Sequence, residues 1–372
     1  MRKVIILAAA GVSLAALAIP AQAQVAGDKI VGSYICVFKK GSVGRGNAQA
    51  EANRAAQAAG AQISHVYNVA LQGFAANMPE HAIERVKAAN PNIEYCEQDQ
   101  VVTTGPITQA APPSGDMTAQ STQETPWGIA RVGGGAAGTF GTAWVIDTGV
   151  QLNHPDLRVD AARSRSFIRD TSPNDGNGHG THVAGTIAAL DNTIGVIGVA
   201  PGATVVAIRV LDRRGSGTTS GVIAGVDYVA QYGRAGDVAN MSLGGGASAS
   251  LDTAVINAAA GGVRFAMAAG NESSHANTSS PGRANGTNLY TVSAFAVGDK
   301  WASYSNYGNP PIDYAEPGSA IKSTWLNGGY NTISGTSMAT PHLAGLLLAG
   351  AVRSGGNVTG DPDGNADVIG VR

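Results

Sequence analysis

Four polar side chains stand where acyl-transfer chemistry would need them. Ser337 lies between a Gly-rich turn and an apolar stretch in SGTSMATPHLAGLLLAG, so it is predicted to begin a helix. The amides and the positive dipole end of a helix start lower the cost of negative charge beside that hydroxyl. A serine that only caps its helix looks the same locally, so the other residues must decide.

His179 and Asp147 supply the second and third groups. His179 sits among glycines in NGHGTHVAGTIAAL, at the start of another predicted helix, whose dipole opposes protonation of the imidazole. Asp147 ends the apolar strand AWVID, where a carboxylate is costly to bury unless a donor faces it. His182 lies one turn after His179 and is interpreted as structural, because no HExxH spacing supports a zinc site.

Asn271 follows Ala-Ala-Gly at the end of another predicted strand and completes the set. A hydroxyl nucleophile, a neutral imidazole, a carboxylate that orients it and an amide donor for an oxyanion are what acyl transfer requires. The residues alone therefore predict a hydrolase.

Alternating strands and helices must position these groups. From Trp127 onward, apolar strands and helical stretches alternate, which predicts an α/β domain with a mostly parallel sheet covered by helices on both faces. In such sheets the loops beyond the strand ends carry the chemistry. The final segment, VTGDPDGNADVIGVR, is expected to be a loose tail.

A separate small domain is predicted before this one. Residues 30–102 give the order β-α-β-β-α-β, a ferredoxin-like α+β arrangement. Its first and last strands are neighbours in that sheet, so Cys36 and Cys96, the only cysteines of the chain, could face each other. A disulfide and two buried thiols both remain open. A segment rich in Pro, Thr, Gly and Ser follows and is predicted to be a linker.

The N-terminal residues predict export. MRKVIILAAAGVSLAALAIPAQAQ has a basic start, an apolar core and a small-x-small triplet, the pattern of a secretory signal peptide over residues 1–23. Its apolar stretch is too short for a stable membrane anchor. A net charge of −2 over 372 residues gives no basic footprint, so nucleic acid is not an expected partner.

Five stretches, in order, resemble the diagnostic motifs of subtilisin-like serine peptidases: AWVIDTGV, GHGTHVAGT, NMSLGG, AAGN and GTSMATPH. The resemblance runs from about Pro126 into the helix after Ser337 and implies the subtilisin-like catalytic fold. It implies Ser337 as nucleophile, His179 as general base and then acid, and Asp147 as the residue that holds the imidazole. Asn271, with the Ser337 amide, would stabilise the oxyanion.

The same resemblance implies where an extended peptide would bind. Two backbone edges would pair with the peptide, and side-chain pockets would select among peptides. These edges are Gly215, Ser216 and Gly217 on one side and Ser242, Leu243 and Gly244 on the other. Gly244 and Gly245, together with residues 268–270, would line a roomy, largely apolar pocket. Broad endopeptidase activity that favours bulky apolar residues before the cut is expected.

ALDNTIGVIGVAP, NHPD and TQETPW resemble the calcium loop of the family and its other contributors. Side-chain and carbonyl oxygens of such a set suit a structural Ca²⁺, which takes about 6–8 oxygen ligands. The implied ligands are the side chains of Gln123, Asp156 and Asn192 and the carbonyls of Leu190, Ile194 and Val196. A surface loop without an ion is the alternative.

The small first domain resembles the inhibitory propeptides of the family, which assist folding and block the cleft. The chain is thus divided into a signal peptide at 1–23, a propeptide domain at 24–103, a linker with the maturation region at 104–121 and a catalytic domain at 122–372. The family usually cuts near Thr104 to Pro106, whereas alignment of Gln123 puts the mature start near Ser121. An early first cut with later trimming is expected, giving a secreted monomer, extracellular or periplasmic.

Two other classes of function fit parts of the pattern. An exported peptide-binding protein on an inactive peptidase scaffold would have lost a member of the triad, and none is lost. A nucleotide-binding α/β domain would need GxGxxG spacing, which GVIGVAPG lacks. The endopeptidase is therefore the favoured prediction.

Overall fold

The computed structural model describes residues 25–44, 46–105, 108–109, 122–169 and 171–372. The predicted signal peptide and most of the predicted linker lie outside these residues. Two folded units are present, and one strand of the first also pairs with strands of the second.

The first unit is a small α+β domain. Its elements are β1 (Lys29–Phe38), α1 (Ala48–Ala59), β2 (Gln62–Tyr67), β3 (Gly73–Asn77), α2 (Ile83–Ala89) and β4 (Ile93–Thr103). The antiparallel strands run in the order β4-β1-β3-β2. Helix α1 buries a stripe of alanines against a core that includes Phe74, and it ends at Gly60, whose φ of 66° is the left-handed conformation that terminates helices. The predicted β-α-β-β-α-β domain is confirmed.

Cys36 and Cys96 form a disulfide. Strands β1 and β4 pair antiparallel with Cys36 directly opposite Cys96. Cys36 is fully buried in the core of the domain. Of the two alternatives that the sequence left open, the disulfide is therefore the one that the fold adopts.

The second unit carries the remaining elements, and a two-residue strand, β5 (Thr108–Gln109), precedes it. In chain order they are α3 (Trp127–Arg131), β6 (Ala143–Asp147), β7 (Arg165–Ser166), α4 (His179–Ala188), β8 (Val205–Arg209), β9 (Ser216–Thr218), α5 (Thr219–Tyr232), β10 (Val238–Met241), β11 (Gly244–Gly246), α6 (Ala249–Ala260), β12 (Arg264–Ala268), β13 (Ser279–Ser280), β14 (Leu289–Ala296), β15 (Lys300–Trp301), β16 (Ile312–Pro317), β17 (Ile321–Thr324), β18 (Tyr330–Ser334), α7 (Thr336–Ala349), β19 (Arg353–Asn357) and β20 (Val368–Val371).

A mostly parallel sheet forms the centre of the second unit. Its strands run in the order β19-β20-β16-β14-β12-β10-β6-β8-β7, and only β19 and the short β15 are antiparallel to their neighbours. Along β6, Trp144 and Ile146 pack with α5 and α6, whereas Ala143 and Val145 pack with α4 and α7. A strand buried on both faces reads as a continuous apolar run. The predicted sheet with helices on both faces is confirmed.

The segment expected to be a loose tail belongs to this sheet instead. Strand β20 pairs parallel with β16, placing Ile369 opposite Ala315, and antiparallel with β19. Ile369 is fully buried with Phe295 and Val358. The expectation was wrong because the four-residue strand VIGV follows an acidic turn and is too short to produce a periodic pattern.

Two carboxylates of strand β4 also cap the N-termini of two helices of the second unit. The Asp99 carboxylate accepts hydrogen bonds from the N–H and the hydroxyl of Ser220 at the start of α5. The Glu97 carboxylate accepts from the Ser248 hydroxyl and the Ser250 N–H at the start of α6. Carboxylates satisfy the free amides of a helix start and oppose its dipole, so β4 docks where negative charge is favoured.

Candidate active site

Asp147 and His179 meet at the carboxyl end of the parallel sheet. Asp147 is the last residue of β6, and His179 is the first residue of α4. His179 Nδ1 lies 2.8 and 2.9 Å from the two Asp147 carboxylate oxygens, and both side chains are fully buried. In the neutral tautomer whose Nδ1–H donates to this carboxylate, Nε2 carries a lone pair that can accept a proton. Nε2 has no hydrogen-bond partner among the described residues.

Ser337 lies in the first turn of α7 and is almost completely buried. Its Oγ is 3.3 Å from the carbonyl oxygen of Thr104 and 3.3 Å from that of Ser242. Thr104 directly follows β4, and Ser242 directly follows β10. The hydroxyl therefore touches the backbone of the chain's own N-terminal unit.

Asn271 faces the same point from the loop after β12. Its Oδ1 accepts from the Thr336 N–H at 2.8 Å and from the Thr336 hydroxyl at 2.9 Å. These two donors turn Nδ2 towards Gly105, where a Cβ atom would lie 3.2 Å from it. An N–H donor thus lies beside the backbone that passes Ser337. Sequence reasoning missed Thr336, although its place next to Ser337 was a signal that could have found it.

The two predicted peptide-binding edges flank a strand of this same chain. Strand β4 pairs antiparallel with β9 on one side and with β11 on the other; the opposed residues are Val102 and Gly217, Thr103 and Ser216, Val102 and Gly245, and Thr103 and Gly244. The Thr104 N–H adds a bond of 3.0 Å to the Gly215 carbonyl. Further along, β5 pairs with β18. The described residues of this segment therefore pair with the cleft at 102–104, approach Ser337 at Thr104 and pair again with the second unit at 108–109.

A cavity of about 260 Å³ opens beside Ser337. Residues 243–246 and 268–270 line it, so its walls are mostly backbone and methyl groups. Glu272, the acid at its rim, accepts from the Asn306 amide at 2.7 Å. A Cβ at Gly245 would lie 2.9 Å from the Val101 carbonyl, so glycine keeps this edge open to a strand.

Two fully buried histidines of the described chain lie outside this arrangement. His182 Nε2 lies 2.9 Å from the Ile321 carbonyl, and burial lowers the pKa of His182 to about 3. His342 Nδ1 lies 2.9 Å from the Met338 carbonyl, and burial lowers the pKa of His342 to about 4. Both rings are neutral near pH 7, in keeping with a structural role for His182.

The residues predicted to bind calcium lie together at the start of the second unit. The Gln123 amide donates to the Leu190 carbonyl at 2.7 Å. The fully buried Asp156 carboxylate accepts from the Asn192 amide at 2.7 Å and from the Val196 N–H at 3.2 Å. Ile194 joins the group, since its N–H donates to the Asn192 side chain.

One carboxylate, two side-chain amides and backbone carbonyls make up this group, and hard cations prefer such oxygen donors. Burial raises the pKa of Asp156, because the charged carboxylate is poorly solvated there. No cluster of three or more His, Cys, Asp or Glu side chains suited to a metal occurs among the residues that the structure describes. The group therefore fits calcium better than a transition metal.

Comparison with known proteins decides the family. The family model described as "Subtilase family" matches residues 144–352, and the one described as "Peptidase inhibitor I9" matches residues 33–105. The chain belongs to the subtilase family of serine peptidases. The I9 match covers the first unit of this subtilase and ends one residue after Thr104.

Relatives of this subtilase carry peptidase names. The chain is 42% identical to "Alkaline serine exoprotease A" of Vibrio alginolyticus over 77% of its own length and 52% of that protein. It is 38% identical to "Proteinase R" of Parengyodontium album, covering 86% of this chain and 79% of that protein. It therefore spans about half the length of the first relative and most of the second.

A solved structure also supports membership of the subtilase family. "Crystal structure of a cold adapted subtilisin-like serine proteinase" is 45% identical to this subtilase, with a TM-score of 0.54, and the match covers 61% of this chain and 87% of that one.

Several residues that join the two units of this subtilase escaped sequence reasoning. The Asp227 carboxylate of α5 accepts from the backbone N–H groups of residues 68–70, at 3.0, 2.8 and 2.7 Å. The Tyr67 hydroxyl donates to the Ser220 carbonyl at 3.0 Å. These contacts join residues more than 150 positions apart, so no local pattern could have revealed them.

Proposed function

We propose that this chain is a secreted serine endopeptidase made as a zymogen that cuts itself. One observation carries the proposal. Strand β4 lies between β9 and β11 as an extended substrate would, and the carbonyl oxygen of Thr104, the next residue, lies 3.3 Å from the Ser337 hydroxyl.

Acylation follows from the positions of the side chains. Ser337 Oγ turns towards His179 Nε2, gives up its proton there and forms a bond to the carbonyl carbon of the peptide. Asp147 holds the Nδ1–H and stabilises the imidazolium. The Asn271 Nδ2 and the Ser337 N–H donate to the oxyanion. His179 then protonates the leaving amine, and water repeats the sequence to release the acid.

The first cut falls within residues 104–108. Antiparallel pairing fixes the chain up to Thr103 on one side of Ser337 and from Thr108 on the other. The Thr104 carbonyl, which lies between these pairings, is 3.3 Å from the Ser337 hydroxyl. This supports an early cut near Thr104 to Pro106, with the later trimming near Ser121 in a segment that the structure does not describe.

Substrate selection rests on backbone pairing and the cavity. Edge strands β9 and β11 supply hydrogen bonds that any extended peptide can make. The cavity of about 260 Å³ is more apolar than polar, and Glu272, the one acid among its described lining residues, accepts from the Asn306 amide. Bulky apolar residues before the cut are therefore favoured over basic ones.

A structural Ca²⁺ belongs to this proposal. Side-chain oxygens of Gln123, Asp156 and Asn192 and the carbonyls of Leu190, Ile194 and Val196 would hold it. The ion would screen the buried Asp156 carboxylate and tie the start of the second unit to the loop after α4.

Action outside the cytoplasm is also part of the proposal. One relative, from Thermus sp. (strain Rt41A), is named "Extracellular serine proteinase". Within the described ranges, no helix is long and apolar enough to cross a bilayer. The predicted signal peptide supports export, and a monomer is expected to act on proteins and peptides.

The test compares wild type, Ser337→Ala and the surface control Ser354→Ala after expression with the signal peptide. Each is incubated with casein and with a phenylalanine-ended peptide amide, while intact masses and N-termini are followed. Wild type and Ser354→Ala are expected to lose the first unit and cleave both substrates. Ser337→Ala is expected to stay at the length left by signal removal and to be inert.

The rival function predicts a different result. A peptide-binding protein on a peptidase scaffold would leave folded wild type inert and bind the peptide equally well with or without the Ser337 hydroxyl. That outcome would replace the endopeptidase proposal.

A further inference from the structure

Helix α7 has a proline at a position that affects Ser337. Pro341 stands four residues after Ser337 inside the helix. A helical carbonyl normally accepts from the N–H four residues on, and proline has none. Its ring also crowds the carbonyl of residue i−4, which here belongs to Ser337. The Ser337 carbonyl therefore lacks its usual donor within the helix.

Ser242 supplies the missing donor from outside the helix. Its hydroxyl donates to the Ser337 carbonyl at 2.8 Å. The Asn240 amide Nδ2 donates in turn to the Ser242 Oγ at 2.9 Å. Both side chains are fully buried, so water does not compete for these bonds.

The Ser337 carbonyl fixes which groups donate and which accept in the hydrogen bonds that link Asn240, Ser242 and Ser337. The Ser337 carbonyl can only accept, so the single Ser242 proton points to it, and the group facing the Ser242 lone pair must donate. The amide of Asn240 does so with its nitrogen. Its oxygen is buried and has no partner among the described residues, which costs stability. An apolar residue would suit the central strand β10 better if stability alone mattered.

We propose that Asn240 and Ser242 form a positioning relay that holds the Ser337 backbone in its reactive orientation, replacing the helical bond that Pro341 removes. The relay sets the direction of the Ser337 N–H and Oγ, the groups that the proposed function uses, and so it rests on that function. Asn240 and Ser242 act here as positioning residues through Ser337, apart from the substrate pairing implied for the Ser242 backbone.

The proline makes a decisive rescue experiment available. Ser242→Ala, Pro341→Ala and the double variant are compared as mature enzymes, matured with a trace of wild type that is then removed. Active sites are titrated with a sulfonyl fluoride, so that kcat refers only to folded, competent molecules. Ser164→Ala is the matched control, because its buried hydroxyl also donates to a backbone carbonyl, that of Asp160 at 2.8 Å, outside the cleft.

Ser242→Ala is expected to lower kcat per titrated site, and the rate of sulfonylation, by about tenfold, with KM within twofold. Pro341→Ala restores an N–H four residues after Ser337, so the double variant is expected to regain kcat to within about threefold of Pro341→Ala alone. Asn240→Ala should lower kcat about threefold, since the Ser242 hydroxyl stays but loses its orientation. Ser164→Ala should keep wild-type kcat.

Two results would overturn the relay while leaving the endopeptidase in place. One is an unchanged kcat in Ser242→Ala. The other is a double variant whose loss equals the product of the two single losses, because the proline would then be unconnected with the serine. An inert wild type would instead remove the proposed function itself.

Discussion

The Thr336 N–H donates to Asn271 Oδ1 at 2.8 Å, and this bond decides which end of the Asn271 amide faces the cleft. Thr336, the residue before the proposed nucleophile, thereby orients the amide proposed to donate to the oxyanion. Helix α7 thus delivers the Ser337 hydroxyl and sets the Asn271 donor at the same time.

Asn271→Leu is expected to lower kcat by about 10²–10³, a range taken from the matching amide of subtilisin itself. Thr336→Val keeps the backbone N–H but loses the hydroxyl donor, so a fall of about tenfold is expected. Steady-state kinetics on a peptide amide measures both. KM should change little, since the oxyanion donor acts in the transition state, and a loss confined to KM would contradict this role.

The pairing of Cys36 with Cys96 leads to a second prediction. In the inert Ser337→Ala zymogen, replacing both cysteines by alanine should lower the free energy of unfolding of the first unit by up to about 4 kcal/mol, because the disulfide joins residues 60 positions apart. Hydrogen exchange of the β1 and β4 amides measures the loss. The mature enzyme should keep its activity in dithiothreitol, since no cysteine follows Cys96. Inactivation by the reductant would contradict the placement of both cysteines in the part that is removed.

Asp227 should control how long the first unit stays bound. Asp227→Asn removes the charge that accepts three backbone amides, so the cut first unit should bind about 10- to 100-fold more weakly. Tyr67→Phe loses one neutral bond and should have a smaller effect. The delay between the first cut and the appearance of activity reports this affinity. Equal delays in wild type and Asp227→Asn would show that the carboxylate does not hold the cut first unit on the enzyme.

Glu316 should make stability depend on pH. It is fully buried in β16, and neither carboxyl oxygen has a hydrogen-bond partner in the part of the chain that the structure describes. Burial raises the pKa of Glu316 well above 4.5, against a smaller opposing effect of Arg131. Between pH 4.5 and the raised pKa of Glu316 in the folded chain, the unfolded chain has released the Glu316 proton that the folded chain keeps. The free energy of unfolding should therefore fall as pH rises, by at most about 1.4 kcal/mol per pH unit.

Glu316→Gln removes that dependence. The variant should match wild type near pH 4.5 and exceed its stability at alkaline pH. Denaturant titrations of the inert Ser337→Ala background from pH 4.5 to 9 measure the difference. Parallel pH curves for the two proteins would rule out a buried proton on Glu316.

Removal of calcium should destabilise the mature enzyme. A chelator is expected to lower Tm and speed self-digestion, and added Ca²⁺, but not Mg²⁺, should reverse both effects. Asp156→Asn should abolish the response of Tm to Ca²⁺ and to the chelator. A chelator effect that persists in Asp156→Asn would place the ion elsewhere.

Local signals were enough to find the groups that are proposed to do the chemistry. Asp147, His179 and Ser337 each end a strand or begin a helix, and those boundaries are readable from apolar runs and glycines. The small first domain was equally readable, because its elements are short and regular. Register settled what the pattern left open, since only the pairing of β1 with β4 places Cys36 opposite Cys96.

Long-range contacts were not readable. The sequence placed the end of the first domain at residue 103, where β4 ends, but it did not reveal that this strand pairs inside the cleft or that the Thr104 carbonyl lies 3.3 Å from the Ser337 hydroxyl. In the sequence, Asp227 is one acidic residue of a helical stretch. The structure shows that its carboxylate accepts hydrogen bonds from the backbone of residues 68–70. Pair interactions between distant segments depend on tertiary packing, which no single stretch of sequence encodes.

Strand β4 is covalently part of the molecule whose cleft it fills, so its occupancy does not depend on how much protein is present. One cut would break a single bond and leave the pairing, the helix caps and the Asp227 contacts intact. Release would then depend on a neighbour that is already free and digests the bound domain. A population of such molecules would show a lag in activity followed by a rapid rise. The lag would shorten at higher protein concentration and disappear when a trace of mature enzyme is added.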